Sequence, residues 1–243
     1  MSSAQPESLR RVALIGSYPP RQCGIATFSG NLLRGIEQAP GDIETFVVPV
    51  NDVAEGYRYP NEVWYEIEQR SLASYRRAVD FLNLNDVDIV SVQHEFGLFG
   101  GPAGGHILEL VRQLRMPVVT TLHTILQEPS DEQRVVMDGL AQTSDLLVTM
   151  TERGRQILRE VYHTPKDRIR VIAHGIPEAP FVDPSFYKDK FDLADQSVLL
   201  TFGLIGPGKG LEQMIDAMPT VLARRPNTTY MILGATHPQL KRE

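Results

Sequence analysis

The chain has almost no cysteine: Cys23 is the only one among 243 residues. One thiol closes no intramolecular disulfide and furnishes no cysteine-ligated zinc site. In its turn, Cys23 reads as a small residue or, less simply, as a nucleophile. No apolar run approaches the roughly 18 residues of a membrane span, and the N-terminal MSSAQPESLRR lacks the apolar core of a secretory signal. Positive charge is not in excess either, with 24 Lys and Arg against 30 Asp and Glu and a net charge of −6. That balance excludes a nucleic-acid binder that works by neutralising many phosphates. No strongly basic amphipathic stretch indicates membrane association. Internal repeats and low-complexity tracts are missing as well. What remains is the expectation of a soluble, cytoplasmic globular protein, which 42% hydrophobic and 22% charged residues suit.

What is present is an alternation. Short runs rich in Val and Ile lie at 11–16, 43–50, 87–93, 117–123, 145–150 and 168–174, and helix-length amphipathic segments lie near 25–38, 63–83, 102–115, 130–142 and 151–162. Strand and helix alternating in this way predict an α/β fold with a parallel sheet flanked by helices. In the second helical segment Trp64, Ile67, Leu72, Tyr75, Val79 and Leu82 recur near the helical period and predict one buried face. The pattern breaks near 175–195, where prolines and mixed charge read as a linker or crossover. A strand–helix–strand unit follows, with strands at 197–203 and 228–234 around a helix at 210–224. The expected domains are therefore 1–178, a linker at 179–196, and 197–243. Two parallel strands with one helix cannot bury both sheet faces, so the chain is expected to be a fragment of a longer protein.

In an open parallel sheet, ligands sit outside the carboxyl ends of the strands. The loop after the first strand, SYPPRQCGIATF, places Gly24 and Ile25 at a helix start, where free N–H groups attract anions. It is too long and proline-rich for a dinucleotide loop, and its glycine spacing is not G-x-G-x-x-G. His94 and Glu95 open the loop after the third run, either contacting a ligand or capping the loop, and His123 and His174 end two later runs. Nothing in the spacing of His94, Glu95 and His123 demands a metal. In FGLIGPGKGLE, Gly203, Lys209 and Gly210 combine a flexible backbone, a full charge and a following helix, which suits an anion. An ordinary helix start with an exposed lysine is the plainer alternative. It is not a Walker A loop, because no Ser or Thr follows the lysine.

Five of these segments, YPPRQCGIATF, VVTTLHT, VIAHGI, FGLIGPGKGLE and YMILG, resemble in order and spacing the family 4 retaining glycosyltransferases. The resemblance implies the GT-B fold, two facing Rossmann-like domains of which this chain carries the first and the start of the second. It implies transfer of a sugar from a nucleotide-diphosphate-sugar donor to a saccharide or lipid-linked acceptor, with no cofactor and no metal. By resemblance Gly24 faces the donor phosphates and the acceptor, Lys209 neutralises the diphosphate leaving group, and His123 sits beside the transferred sugar. Two departures stand out. The arginine that usually follows the first donor-loop glycine is Leu204 here, and the family's paired-glutamate motif would lie beyond residue 243. A non-catalytic binding module of the same fold and a glycan phosphorylase are the alternatives.

Overall fold

The structure, a computed structural model, describes residues 9–176 and 180–236. It divides into one unit ending at Gly175 and a second beginning at Ile176, while the expected domain boundary at 178 lies outside the described residues.

The first unit runs β1 (Arg11–Gly16), α1 (Gly24–Glu37), β2 (Glu44–Asn51), β3 (Ile67–Glu68), α2 (Leu72–Leu84), β4 (Ile89–His94), α3 (His106–Val111), β5 (Val118–Leu122), α4 (Asp131–Thr143), β6 (Leu146–Thr149), α5 (Glu152–Glu160) and β7 (Ile169–Val171). All seven strands are parallel, in the order β3-β2-β1-β4-β5-β6-β7. The sheet is Rossmann-like, of the α/β class that the alternation predicts. The chain winds outward from β1 in one direction and then, starting at β4, in the other. The strand order therefore reverses between β1 and β4, and a crevice opens there at the strand ends.

Burial explains the near-continuous apolar runs. Ala13, Leu14 and Ile15 have no solvent exposure in succession, so both faces of β1 are covered. Leu14 and Val47 pack against Leu33 of α1 on one face. Ala13, Ile15, Phe46 and Val48 join Tyr75, Ala78, Val79 and Leu82 of α2 on the other. Each Val, Leu, Ile or Phe side chain among them contributes about 1.5–3 kcal/mol when fully removed from water. The helices start where the sequence supplies caps. Thr151 Oγ1 accepts from the Gly154 N–H at 3.0 Å, and Ser130 and Gln133 form a reciprocal capping box.

Four expectations need correction. The segment 63–83 is not one helix: Ile67–Glu68 pairs with β2, Val63 bridges to Val47, and the helix starts only at Leu72. Ile67 is buried as a strand residue, whereas Trp64 stays partly exposed and stacks flat on Phe46 at 4.3 Å. The segment 102–115 is a 3-10 turn at Pro102–Gly104 followed by the short α3. The irregular stretch at 175–195 contains a helix, α6 (Pro184–Asp189), started by Asp183, which accepts from the Ser185 N–H at 2.9 Å. Finally, the strand expected at 197–203 continues to Ile205.

The second unit is β8 (Ser197–Ile205), α7 (Leu211–Arg224) and β9 (Thr228–Thr236), with β8 and β9 parallel and in register from end to end. Leu200, Phe202 and Leu233 on this two-stranded sheet are more than half exposed. No helix among the described residues is long and apolar enough to cross a membrane.

Candidate functional site

The turn from β1 to α1 is held from outside. Arg21 donates from Nη1 to the Val50 carbonyl at 2.9 Å, and its Nε lies 3.5 Å from Asp52, with both side chains nearly buried. Asp52 also accepts from the Tyr57 hydroxyl at 2.7 Å. These contacts tie the turn to the end of β2. Cys23 caps α1, its Sγ accepting from the Ala26 N–H at 3.3 Å and lying 3.0 Å from Ser17 Oγ. Gly24, the first residue of α1, is exposed, and a Cβ built there would meet nothing within 4 Å. The N–H groups of Gly24 and Ile25 have no partner among the described residues. The Ile25 side chain is partly buried and packs against the core.

His123 follows β5 directly, and its N–H donates to the His94 carbonyl at 3.0 Å. Its ring meets Phe28 of α1 edge to face, with centroids 4.8 Å apart, and its Nε2 lies 3.0 Å from Gln93 Oε1. The other side of this cluster is His174, exposed after β7, whose ring edge packs on Phe28 at 5.3 Å. Burial, reinforced by His174, lowers the His123 pKa to about 4, so the ring is neutral at physiological pH.

His94 and Glu95 are placed differently from each other. His94 has no exposed surface; it stacks on Phe99 at 5.9 Å and touches Phe96 edge-on at 5.1 Å. Neither ring nitrogen has a hydrogen-bond partner among the described residues, and burial with the neighbouring His123 drops its pKa to about 3. His94 therefore stands behind the site, not on its surface. Glu95 is half-buried and occupied at both oxygens: it accepts from Thr124 Oγ1 at 2.6 Å and from the Phe96 N–H at 3.0 Å. These contacts tie the start of the loop to Thr124 and to its own backbone.

Gly100 and Gly104 of the loop after β4 are required by packing. A Cβ at Gly100 would overlap the Gln69 carbonyl, and one at Gly104 would lie 2.6 Å from the Phe96 carbonyl. The Gly100 N–H donates to the buried Tyr75 hydroxyl at 3.1 Å, which in turn donates to the Gln69 carbonyl at 3.2 Å.

In the second unit, Gly203 is a strand residue facing Gly234, where a side chain would overlap the Gly203 carbonyl. Leu204 likewise lies in β8. The loop proper is 206–210, with Lys209 exposed and Gly210 capping α7 at φ +69, a left-handed conformation that favours glycine. Among the described residues, no cluster of three or more His, Cys, Asp or Glu side chains is arranged to hold a metal ion.

The structure thus brings Gly24, Ile25, His123 and His174 to one end of the first sheet, with Glu95 beside them through Thr124. Phe28 and Gln93 belong to the same constellation: Phe28 closes the YPPRQCGIATF segment without being singled out in it, and no motif marks Gln93. Phe28 lies one helical turn past Gly24, and Gln93 precedes the strand-end His94. Those positions were the available signals.

The Glycosyltransferase Family 4 model matches residues 24–179. The match covers well over half of the chain, and the chain belongs to that family. An uncharacterized glycosyltransferase of Methanocaldococcus jannaschii is 26% identical over 136 residues, 50% of this chain and 35% of that protein. Among solved structures, Anabaena HepE in complex with UDP and glucose superposes with a TM-score of 0.69 at 14% identity, covering 96% of this chain and 63% of that one. A glycosyltransferase from Rickettsia africae superposes with a TM-score of 0.60 at 15% identity and the same coverages. This chain therefore spans about a third of the curated relative and less than two thirds of the solved chains. At these identities the superpositions show a shared fold, the GT-B type.

Proposed function

We propose that the protein transfers a sugar from a nucleotide-diphosphate-sugar donor to a saccharide or lipid-linked acceptor with retention of configuration. The observation that carries this reading is the placement of the open Gly24 and Ile25 N–H groups and the neutral His123 at the same strand-end face of the first sheet, in a chain of this family. The complex of HepE with UDP and glucose supports a uridine diphosphate sugar as the donor to test first.

The chemistry follows from where charge develops. Cleaving a glycosyl–phosphate bond leaves negative charge on the departing diphosphate, and preorganised N–H donors and a cation stabilise it. In this reading Gly24 and Ile25 offer backbone N–H groups, and Lys209, beside Gly210 at the start of α7, offers the cation. Gly203 keeps the end of β8 slim beside that loop. The positive potential needs no metal. His123 and His174 face the sugar and acceptor. His94 supports that wall from behind, and Glu95 holds the loop beside it.

The exposed apolar residues on β8 and β9 suit a larger sheet, and we read this chain as part of a longer enzyme. The test is to incubate the complete protein with a panel of nucleotide sugars and simple glycosides, measuring nucleoside diphosphate release and the anomeric configuration of the product. A retained configuration supports the reading. Inverted product, or release that requires inorganic phosphate instead of a nucleotide sugar, overturns it.

A further inference from the structure

Gln93 is fully buried on β4, yet it has no catalytic chemistry of its own. Its amide nitrogen donates to Ser91 Oγ at 3.2 Å, two residues earlier on the same strand face. With the nitrogen engaged there, the amide oxygen faces His123 Nε2 at 3.0 Å. An amide oxygen only accepts, so with the amide in this orientation the nitrogen opposite it carries the proton. The backbone leaves room for this arrangement at Gly16: a Cβ there would come within 2.9 Å of Gln93 Cβ and 3.5 Å of its Cγ.

We propose that Gln93 is a positioning residue that holds His123 as the Nε2–H tautomer, leaving Nδ1 as a hydrogen-bond acceptor for a hydroxyl donor. His123 Nδ1 has no partner among the described residues. The Phe28 edge contact limits rotation of the ring, so the free lone pair has a defined direction. A neutral imidazole offering a lone pair takes a sugar hydroxyl and disfavours a phosphate oxygen, which has no proton to give. The inference deepens the glycosyl-transfer reading and rests on it for the identity of the hydroxyl donor. It places the sugar at His123 and leaves the phosphates to the helix N-terminus.

The tautomer is directly observable. Long-range proton–nitrogen correlation on the 15N-labelled 243-residue chain at pH 7 distinguishes a protonated ring nitrogen from a bare one. The expected spectrum shows His123 with a protonated Nε2 and an unprotonated Nδ1. In Gln93→Met, which keeps the side-chain length but removes the acceptor, both nitrogens should move toward averaged shifts. The buried His94, whose ring nitrogens have no partner among the described residues, serves as the internal check that the fold persists. A protonated Nδ1 in the wild type, an averaged wild-type ring, or a tautomer unchanged in a folded Gln93→Met overturns the proposal. If Gln93→Met does not fold, the wild-type spectrum decides alone. Transfer activity is measured separately on the complete protein, so the expected tautomer without nucleotide-sugar turnover would sink the glycosyl-transfer reading and leave the tautomer standing.

Discussion

Phe28 stands between two histidines, its ring 4.8 Å from His123 and 5.3 Å from His174, with an edge contact at each. One residue of α1 thus links the loop after β5 to the chain after β7. Such aromatic contacts contribute about 0.5–1.5 kcal/mol each beyond burial. Phe28→Ala should therefore lower unfolding free energy by about 2 kcal/mol and transfer rate by about tenfold. A denaturation midpoint together with steady-state kinetics would show both, and unchanged kinetics would remove Phe28 from the site.

Gly16→Ala should destabilise the first unit by about 1–3 kcal/mol, the range for overpacking a tight interior. The new methyl would press on Gln93 Cβ at 2.9 Å, and both atoms lie on adjacent parallel strands that cannot separate cheaply. Urea unfolding of wild type and variant measures the difference. A neutral substitution would mean that the Gln93 side chain can move aside.

Acid should weaken the fold through its histidines. Burial holds His94 at about 3 and His123 at about 4, below the roughly 6.5 of an unfolded histidine. Between those values the unfolded chain binds protons that the folded chain refuses, so stability falls as pH drops through about 6.5 toward 4 and is constant above it. Each histidine contributes a slope of up to about 1.4 kcal/mol per pH unit. Midpoints measured from pH 8 to 5 should decline only below 6.5, and His123→Phe should make that decline shallower. A midpoint that rises on acidification would contradict the assignment.

Lys209 and His123 should separate in kinetics. Hydrogen bonds to charged groups contribute about 1.5–3 kcal/mol, so Lys209→Ala should weaken nucleotide binding by roughly ten- to a hundredfold. His123→Ala should lower turnover more than nucleotide affinity. Calorimetric titration of UDP into each variant of the complete protein reads the first effect, and kcat the second. Equal affinity in Lys209→Ala and wild type would show that the diphosphate is held elsewhere.

Much of this architecture was legible in the residue pattern. The buried parallel strands announce themselves as Val- and Ile-rich runs, and Ser130 and Thr151 mark their helix starts within a residue. Two stretches escaped that logic. Trp64, Ile67 and Leu72 fit a helical period by coincidence, because a two-residue edge strand carries too few residues to show alternation. The helix α6 hid inside a proline-bearing stretch, although Asp183 and Pro184 form a recognisable helix start.

The candidate site divides in the same way. Local sequence was enough to place Gly24 at a helix N-terminus, and to place His94 and His123 at strand ends, because turn chemistry and strand termination act over a few neighbouring residues. It could not decide that His94 is sealed behind Phe96 and Phe99 while His123 meets Phe28, since both outcomes depend on which loops pack across the strand ends. Nor could it pair Gln93 with a histidine 30 residues away. Chain periodicity determined the elements and their order; only the tertiary structure, by stacking β4 between β1 and β5, decided which polar side chains meet and which are buried alone.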